Sequence, residues 1–222
     1  MGWVLIVGGG ALDKDQLSRE LTNKPDLVIA ADSGAKSLLD QGYFPQILVG
    51  DFDSLASDLV QKMSKAKIEL FTYPTAKDET DMELAVDLAL DRGASEIRIL
   101  GGTGGRLDHT LGNVGLLLKA YQKGVVAYLV DLWQEVTLTG SRIELQGQPG
   151  LGVSLIPLTL KVEGVTTTGL KYPLIGADLY FHRTRGIHNE FVQDVAAVSL
   201  TEGILLVISL SEKGTNQLSS QK

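Results

Sequence analysis

Glu96-Ile97-Arg98-Ile99-Leu100 leads without a break into Gly101-Gly102-Thr103-Gly104-Gly105-Arg106-Leu107-Asp108-His109, and a helical pattern follows from His109 to Gln122. A short apolar run, a glycine cluster and then a helix is the strand–loop–helix unit from which parallel sheets are built. Trp3 to Val7, ending in Gly8-Gly9-Gly10, leads in the same way to a helix from Lys14 to Thr22. Leu27 to Ala31 ends at Asp32 ahead of a helix from Ala35 to Gln41, and Ile47 to Val49 ends at Gly50-Asp51-Phe52-Asp53-Ser54 ahead of one from Leu55 to Met63. A strand near Glu69 to Tyr73, a helix from Asp81 to Arg92 and a strand from Val125 to Val130 complete the series. The pattern predicts a three-layer α/β domain with a mainly parallel sheet over residues 1–132. Its acidic and glycine clusters fall at strand C-terminal ends, the edge where open α/β sheets bind ligands.

From Gln134 onward the helical period disappears. Short strands at Glu135 to Leu138, Arg142 to Leu145, Gly152 to Pro157, Lys161 to Thr166 and Leu205 to Leu210 alternate with glycine and threonine turns. Residues 133–222 are therefore expected to form an antiparallel β-sandwich.

The 222 residues carry 27 acids and 20 bases, a net charge of -7, which argues against nonspecific nucleic-acid binding. An apolar content of 44% is ample for buried cores. There is no cysteine, which excludes disulfides, thiolate metal sites and cysteine nucleophiles. No apolar run approaches the roughly 18 residues of a membrane span, and Met1-Gly2-Trp3 opens without a basic signal region, so a cytoplasmic protein is expected. The acidic excess is uneven: 19 acids against 13 bases over residues 1–132, and 8 against 7 over 133–222.

Asp51 and Asp53, spaced i, i+2 at a strand end, project to one side of an extended chain. Oxygen ligands without histidine or cysteine suit a hard cation such as magnesium, held by one or two carboxylates plus substrate phosphates; the alternative is that Asp53 or Ser54 caps the next helix. In Lys77-Asp78-Glu79-Thr80-Asp81-Met82-Glu83, Thr80 and Glu83 have the spacing of a capping box, and Asp81 enters the first helical turn. Glycines 101, 102, 104 and 105 let backbone N–H groups approach an anion, and Arg106 offers a planar fork for phosphate oxygens. Neither a Walker A sequence nor a complete GxGxxG unit is present. Asp32, Asp51, Asp53, Asp81 and Asp108 all lie at or just past strand ends, and setting them aside leaves 14 acids against 13 bases in the N-terminal part. The excess charge thus has one address.

These residues, taken together, resemble the thiamine pyrophosphokinases. The family pattern is met at Asp32 to Gly34, Gly50 to Ser54, Lys77 to Asp81, Gly101 to His109 and, late in the chain, Gly169-Leu170-Lys171-Tyr172-Pro173-Leu174. The resemblance implies transfer of a diphosphate from MgATP to thiamine, giving thiamine diphosphate and AMP, by a homodimer with thiamine bound across its interface. It makes Asp51 and Asp53 magnesium ligands, with Asp81 helping to bind metal, facing the thiamine hydroxyl or accepting its proton. Nucleotide binding would fall to Asp32, Lys77, Gly101, Gly102, Thr103, Gly104, Gly105, Arg106, Asp108 and His109. His188 and Asn189 would touch thiamine, and His188 stands where the family usually has serine. Trp133, Tyr172 and Phe191 are the candidate aromatic faces for the thiazolium. The alternatives are diphosphate transfer to a hydroxymethyl-pterin and a non-catalytic nucleotide or thiamine sensor.

Overall fold

The first three strands are wholly apolar because both faces of their sheet are covered there. Val4 to Val7 of β1 (Trp3–Val7), all of β2 (Leu27–Ala31) and all of β3 (Ile47–Gly50) are buried in the computed structural model, which describes residues 2–50, 68–73 and 78–212. The chain divides into two compact units, Met1–Asp131 and Leu132–Lys222.

In the first unit the remaining elements are α1 (Lys14–Thr22), α2 (Gly34–Asp40), β4 (Glu69–Thr72), α3 (Asp81–Asp91), β5 (Glu96–Leu100), α4 (Leu107–Gln122) and β6 (Val126–Val130). Six strands pair in parallel in the order β6-β5-β1-β2-β3-β4. Leu5, Val7, Val28, Ala30 and Leu48 form a core with Leu17 of α1 and with Ala35 and Leu38 of α2. Alternate residues face the other side, where α3 packs on β2 and β3, and α4 on β6. Glu20 of α1, 7% exposed, receives both Nε and Nη2 of Arg98 from β5 at 3.0 Å, and that guanidinium lies 5.1 Å from the Tyr128 ring centre. The chain progresses from β1 outward to β4, then returns to place β5 on the opposite flank of β1. The reversal opens a crevice at the C-terminal ends of β1 and β5. The mainly parallel α/β arrangement expected from the sequence is the one found; the helix expected over residues 55–63 lies outside the described residues.

The second unit is a two-sheet antiparallel sandwich. β7 (Gln134–Thr139), β9 (Gly152–Pro157), β12 (Asn189–Glu190) and β14 (Leu205–Leu210) pair in the order β12-β9-β14-β7. The other sheet runs β11-β10-β13-β8, from β8 (Arg142–Gln146), β10 (Lys161–Thr168), β11 (Ala177–Tyr180) and β13 (Val195–Ser199). Val153, Leu155, Val207, Val162, Leu179, Val198 and Phe191 meet between the sheets.

Candidate active site

A cleft of about 850 Å³ opens at the strand reversal of the first unit. Its floor is two glycine loops brought together by the adjacent strands β1 and β5. Gly8 N donates to Leu100 O at 2.8 Å and Gly10 N to Gly101 O at 3.1 Å, so the loops run in backbone contact. Side chains are excluded there: a Cβ on Gly10 would lie 2.4 Å from Gly101 O, and one on Gly101, whose φ is +67°, would lie 2.5 Å from Gly8 O.

Asp32, Asp81, Gly101, Gly102, Thr103, Gly104, Gly105, Arg106, Asp108 and His109 all line this cleft. Asp32 follows β2 directly and holds a left-handed φ of +48°, with its N–H donating to Val49 O at 2.8 Å. Such a conformation is uncommon outside glycine and persists only where the surroundings impose it. Asp81 opens α3. Thr80 Oγ1 accepts from Glu83 N at 3.2 Å, which is half of the expected capping box. The reciprocal half is not made, because Lys119 Nζ of α4 draws the Glu83 carboxylate away to 2.9 Å and also binds Asp87. Asp51, Asp53 and Lys77 lie outside the described residues.

The second glycine loop is fixed at its base and open at its tip. Thr103 Oγ1 donates to Asp131 Oδ2 at 2.7 Å, and Asn113 Nδ2 donates to Gly102 O at 2.7 Å. Gly104 and Gly105 are exposed and hold left-handed φ values of +81° and +70°. No described residue accepts a hydrogen bond from the N–H groups of Thr103, Gly104, Gly105 or Arg106. A run of uncommitted amides beside an arginine is a ready anion site. α4 begins at Leu107, so Asp108 stands in its first turn and not at the cap. Its carboxylate instead clasps the Arg106 guanidinium, at 3.1 Å from Nε and 2.5 Å from Nη2, and accepts from His109 N at 2.9 Å. The hydrogen bonds from Arg106 pull the Asp108 pKa down to about 2, and those to Asp108 raise the pKa of Arg106. Gly8, Gly9, Gly10, Ser33 and Asn113 also line the cleft. The glycines follow a strand end and Ser33 lies in the Asp32–Gly34 turn, whereas Asn113 carries no charge and matches no short motif, so only the fold shows its place.

In the sandwich unit, His188 is exposed with a left-handed φ of +66°, and its N–H donates to Ser154 Oγ at 3.1 Å. Asn189 is 5% exposed. Its Oδ1 accepts from Tyr172 N and Glu190 N, and its Nδ2 donates to Tyr172 O at 2.7 Å. The buried amide thereby staples the Gly169–Leu174 turn to β12. Of the three candidate aromatics, Phe191 is 2% exposed and belongs to the core, whereas Trp133 and Tyr172 are 41% and 57% exposed.

Residues 18–129 match the family model described as the thiamin pyrophosphokinase catalytic domain, and residues 140–205 match that of the thiamin pyrophosphokinase vitamin B1 binding domain. The thiamine pyrophosphokinase of Bacillus subtilis is 33% identical over 210 residues, covering 94% of this chain and 98% of the relative. A crystal structure of thiamine pyrophosphokinase from Bacillus subtilis superposes with a TM-score of 0.83 at 31% identity, covering 95% of this chain and 99% of that one. One from Geobacillus thermodenitrificans gives 0.80 at 32% identity, covering 97% and 100%.

Proposed function

The chain belongs to the thiamine pyrophosphokinase family, and on that premise we propose that it transfers the terminal diphosphate of ATP to the hydroxyethyl oxygen of thiamine, releasing AMP. The observation that carries this reading is the cleft itself: uncommitted loop amides and Arg106 on one side, and the carboxylates of Asp32 and Asp81 on the other.

In the transfer the thiamine hydroxyl oxygen forms a bond to the β-phosphorus, the bond from that phosphorus to the α–β bridging oxygen breaks, and AMP departs with the electron pair. Positioning and charge neutralisation carry most of such a reaction. Thr103 to Arg106 hold phosphate oxygens through their N–H groups, and the Arg106 fork adds a charged contact when it turns from Asp108 to the ligand. Asp81 takes the hydroxyl proton or orients the hydroxyl. Carboxylates alone would repel the polyphosphate, so a divalent cation belongs to the proposal. The donors fit it: Asp32 and Asp81 bring only oxygen ligands to the cleft, as magnesium prefers, although no three such side chains converge on a metal position among the described residues. Asp51, Asp53 and Asp81 would hold Mg²⁺, which when bound offsets the phosphate charge. In the sandwich unit, His188 contacts thiamine, and Asn189 acts through the Tyr172 turn that it holds.

A homodimer working in the cytoplasm completes the proposal; among the described residues no helix is long and apolar enough to cross a membrane. Purified protein given ATP, Mg²⁺ and thiamine is expected to yield AMP and thiamine diphosphate in equal amounts. ADP with thiamine monophosphate would overturn the reaction type, and a monomer by light scattering would overturn the dimer.

A further inference from the structure

Asn113 is a cleft residue to which the roles above give no task. It lies in the second turn of α4 and is 9% exposed. Its Nδ2 donates to Gly102 O at 2.7 Å in a buried bond. Only the nitrogen of the side-chain amide can donate, so this bond dictates which way the amide faces and leaves Oδ1 as an acceptor. Oδ1 meets no donor among the described residues, yet the residue lines the cleft. One end of the amide is tied to the interior, and the other is not buried and stands open to water or to a ligand in the cleft.

The bond to Gly102 O has a further effect. The carbonyl of Gly102 and the N–H of Thr103 belong to one planar trans peptide and point in opposite directions. Drawing the carbonyl into the interior turns the Thr103 N–H outward, and that N–H has no acceptor among the described residues. The Thr103 hydroxyl, 2.7 Å from Asp131 Oδ2, holds the same residue from its side chain. Beyond Thr103 neither pin is repeated, and the exposed Gly104 and Gly105 can adjust.

We propose that Asn113 is a positioning residue for the nucleotide: it sets the Gly102–Thr103 peptide so that the Thr103 N–H donates to a phosphate oxygen, and its Oδ1 accepts from a donor of the same ligand, a ribose hydroxyl or the base amine. The inference rests on the diphosphate-transfer reading of the cleft.

The test measures equilibrium binding of Mg·ATP by calorimetry, with thiamine omitted, to the wild type, Asn113→Leu and Asn113→Ala, together with thermal melts and the thiamine KM. Leucine keeps the branched shape without the polar atoms and alanine avoids any clash, so a folding defect in one leaves the other to decide. The expected result is a Kd for Mg·ATP weakened tenfold or more in the folded variants, with a thiamine KM within twofold of wild type. A lowered melting temperature with Mg·ATP affinity unchanged would mean a purely structural residue and would overturn the inference. A wild type that binds no Mg·ATP would overturn the nucleotide reading itself, a result distinct from wild type and variants binding equally well.

Discussion

Lys119 binds Glu83 across the gap between two helices, Nζ to Oε1 at 2.9 Å, and the same ammonium holds Asp87 one turn further along. It thereby ties α3, which begins at Asp81, to α4, which begins at the glycine loop. Burial opposes the charge on Lys119, but the hydrogen bonds to Asp87 and Glu83 outweigh it and raise the pKa. All three side chains are about a third exposed, so solvent screens much of the attraction. Replacing Lys119 with methionine is expected to lower stability by about 1 kcal/mol, leaving two carboxylates facing each other at i, i+4. Because the folded pKa is the higher one, the contribution is complete below the unfolded lysine value of about 10.4 and fades as pH rises through the folded value. Denaturant melts of wild type and Lys119→Met should therefore differ by a constant amount from neutral pH up to about pH 10 and converge above it.

Asp108 gives the opposite sign. Its pKa is lowered to about 2 by Arg106, so whatever it contributes is present above the ordinary carboxylate pKa and is lost only as pH falls through about 2. An acid limb in the pH profile of kcat/KM near pH 5 would belong to another group. Asp108→Asn should reduce activity while leaving the midpoint of that limb within about 0.3 units; a larger displacement would mean that Asp108 titrates there.

The Glu20–Arg98 pair is more deeply placed, with side chains 9% and 19% exposed. Removing one partner leaves a charge with little water to solvate it. Arg98→Leu should cost about 3 kcal/mol, read as a lower urea midpoint. Arg98→Leu with Glu20→Leu should recover part of the loss, because no orphaned carboxylate then remains.

Gly10→Ala tests the contact between the two loops. The added methyl meets a backbone carbonyl, Gly101 O, at 2.4 Å, and no side-chain rotation relieves it. The loops must part, and a rise of at least tenfold in the KM for Mg·ATP is expected, with the thiamine KM little changed. Equal loss for both substrates would point to general misfolding.

His188 occupies a left-handed backbone position, which histidine enters more readily than bulky or branched residues. Its side chain is exposed and has no partner among the described residues. His188→Ser should change the thiamine KM by threefold or more and leave that for Mg·ATP within twofold. Equal KM values for thiamine in the two proteins would remove His188 from the binding site.

The strands and the charged or glycine-rich clusters were readable in the sequence because each is a local pattern. Leu27 to Ala31 is an unbroken apolar run, and Gly101 to Arg106 announces a loop whatever surrounds it. Asn113 was not readable, since an asparagine inside a helical pattern acquires its task only when Gly102, 11 residues earlier, folds back beneath it. The same holds for Asp131 and Thr103, which are 28 residues apart. The capping box forms only by half for a related reason: Thr80 caps the helix as expected, but the Glu83 carboxylate is taken by Lys119, 36 residues on. Ser33 and the Gly8–Gly10 turn carry no charge, and only the strand order shows that they line one cleft with the Gly101–Gly105 loop.

The placement of β5 beside β1 also governs when the cleft can come into being. Trp3 pairs with Glu96 and Val7 with Leu100, whereas Val4 pairs with Leu27. On a growing chain the β1–β2 contact closes over a short span, but its counterpart on the other flank waits until β5 has emerged. Non-local parallel pairing of this kind is slow. The β1–β5 pairing is the one that brings the two glycine loops together, so the cleft cannot exist on a growing chain until residues 96–105 have emerged.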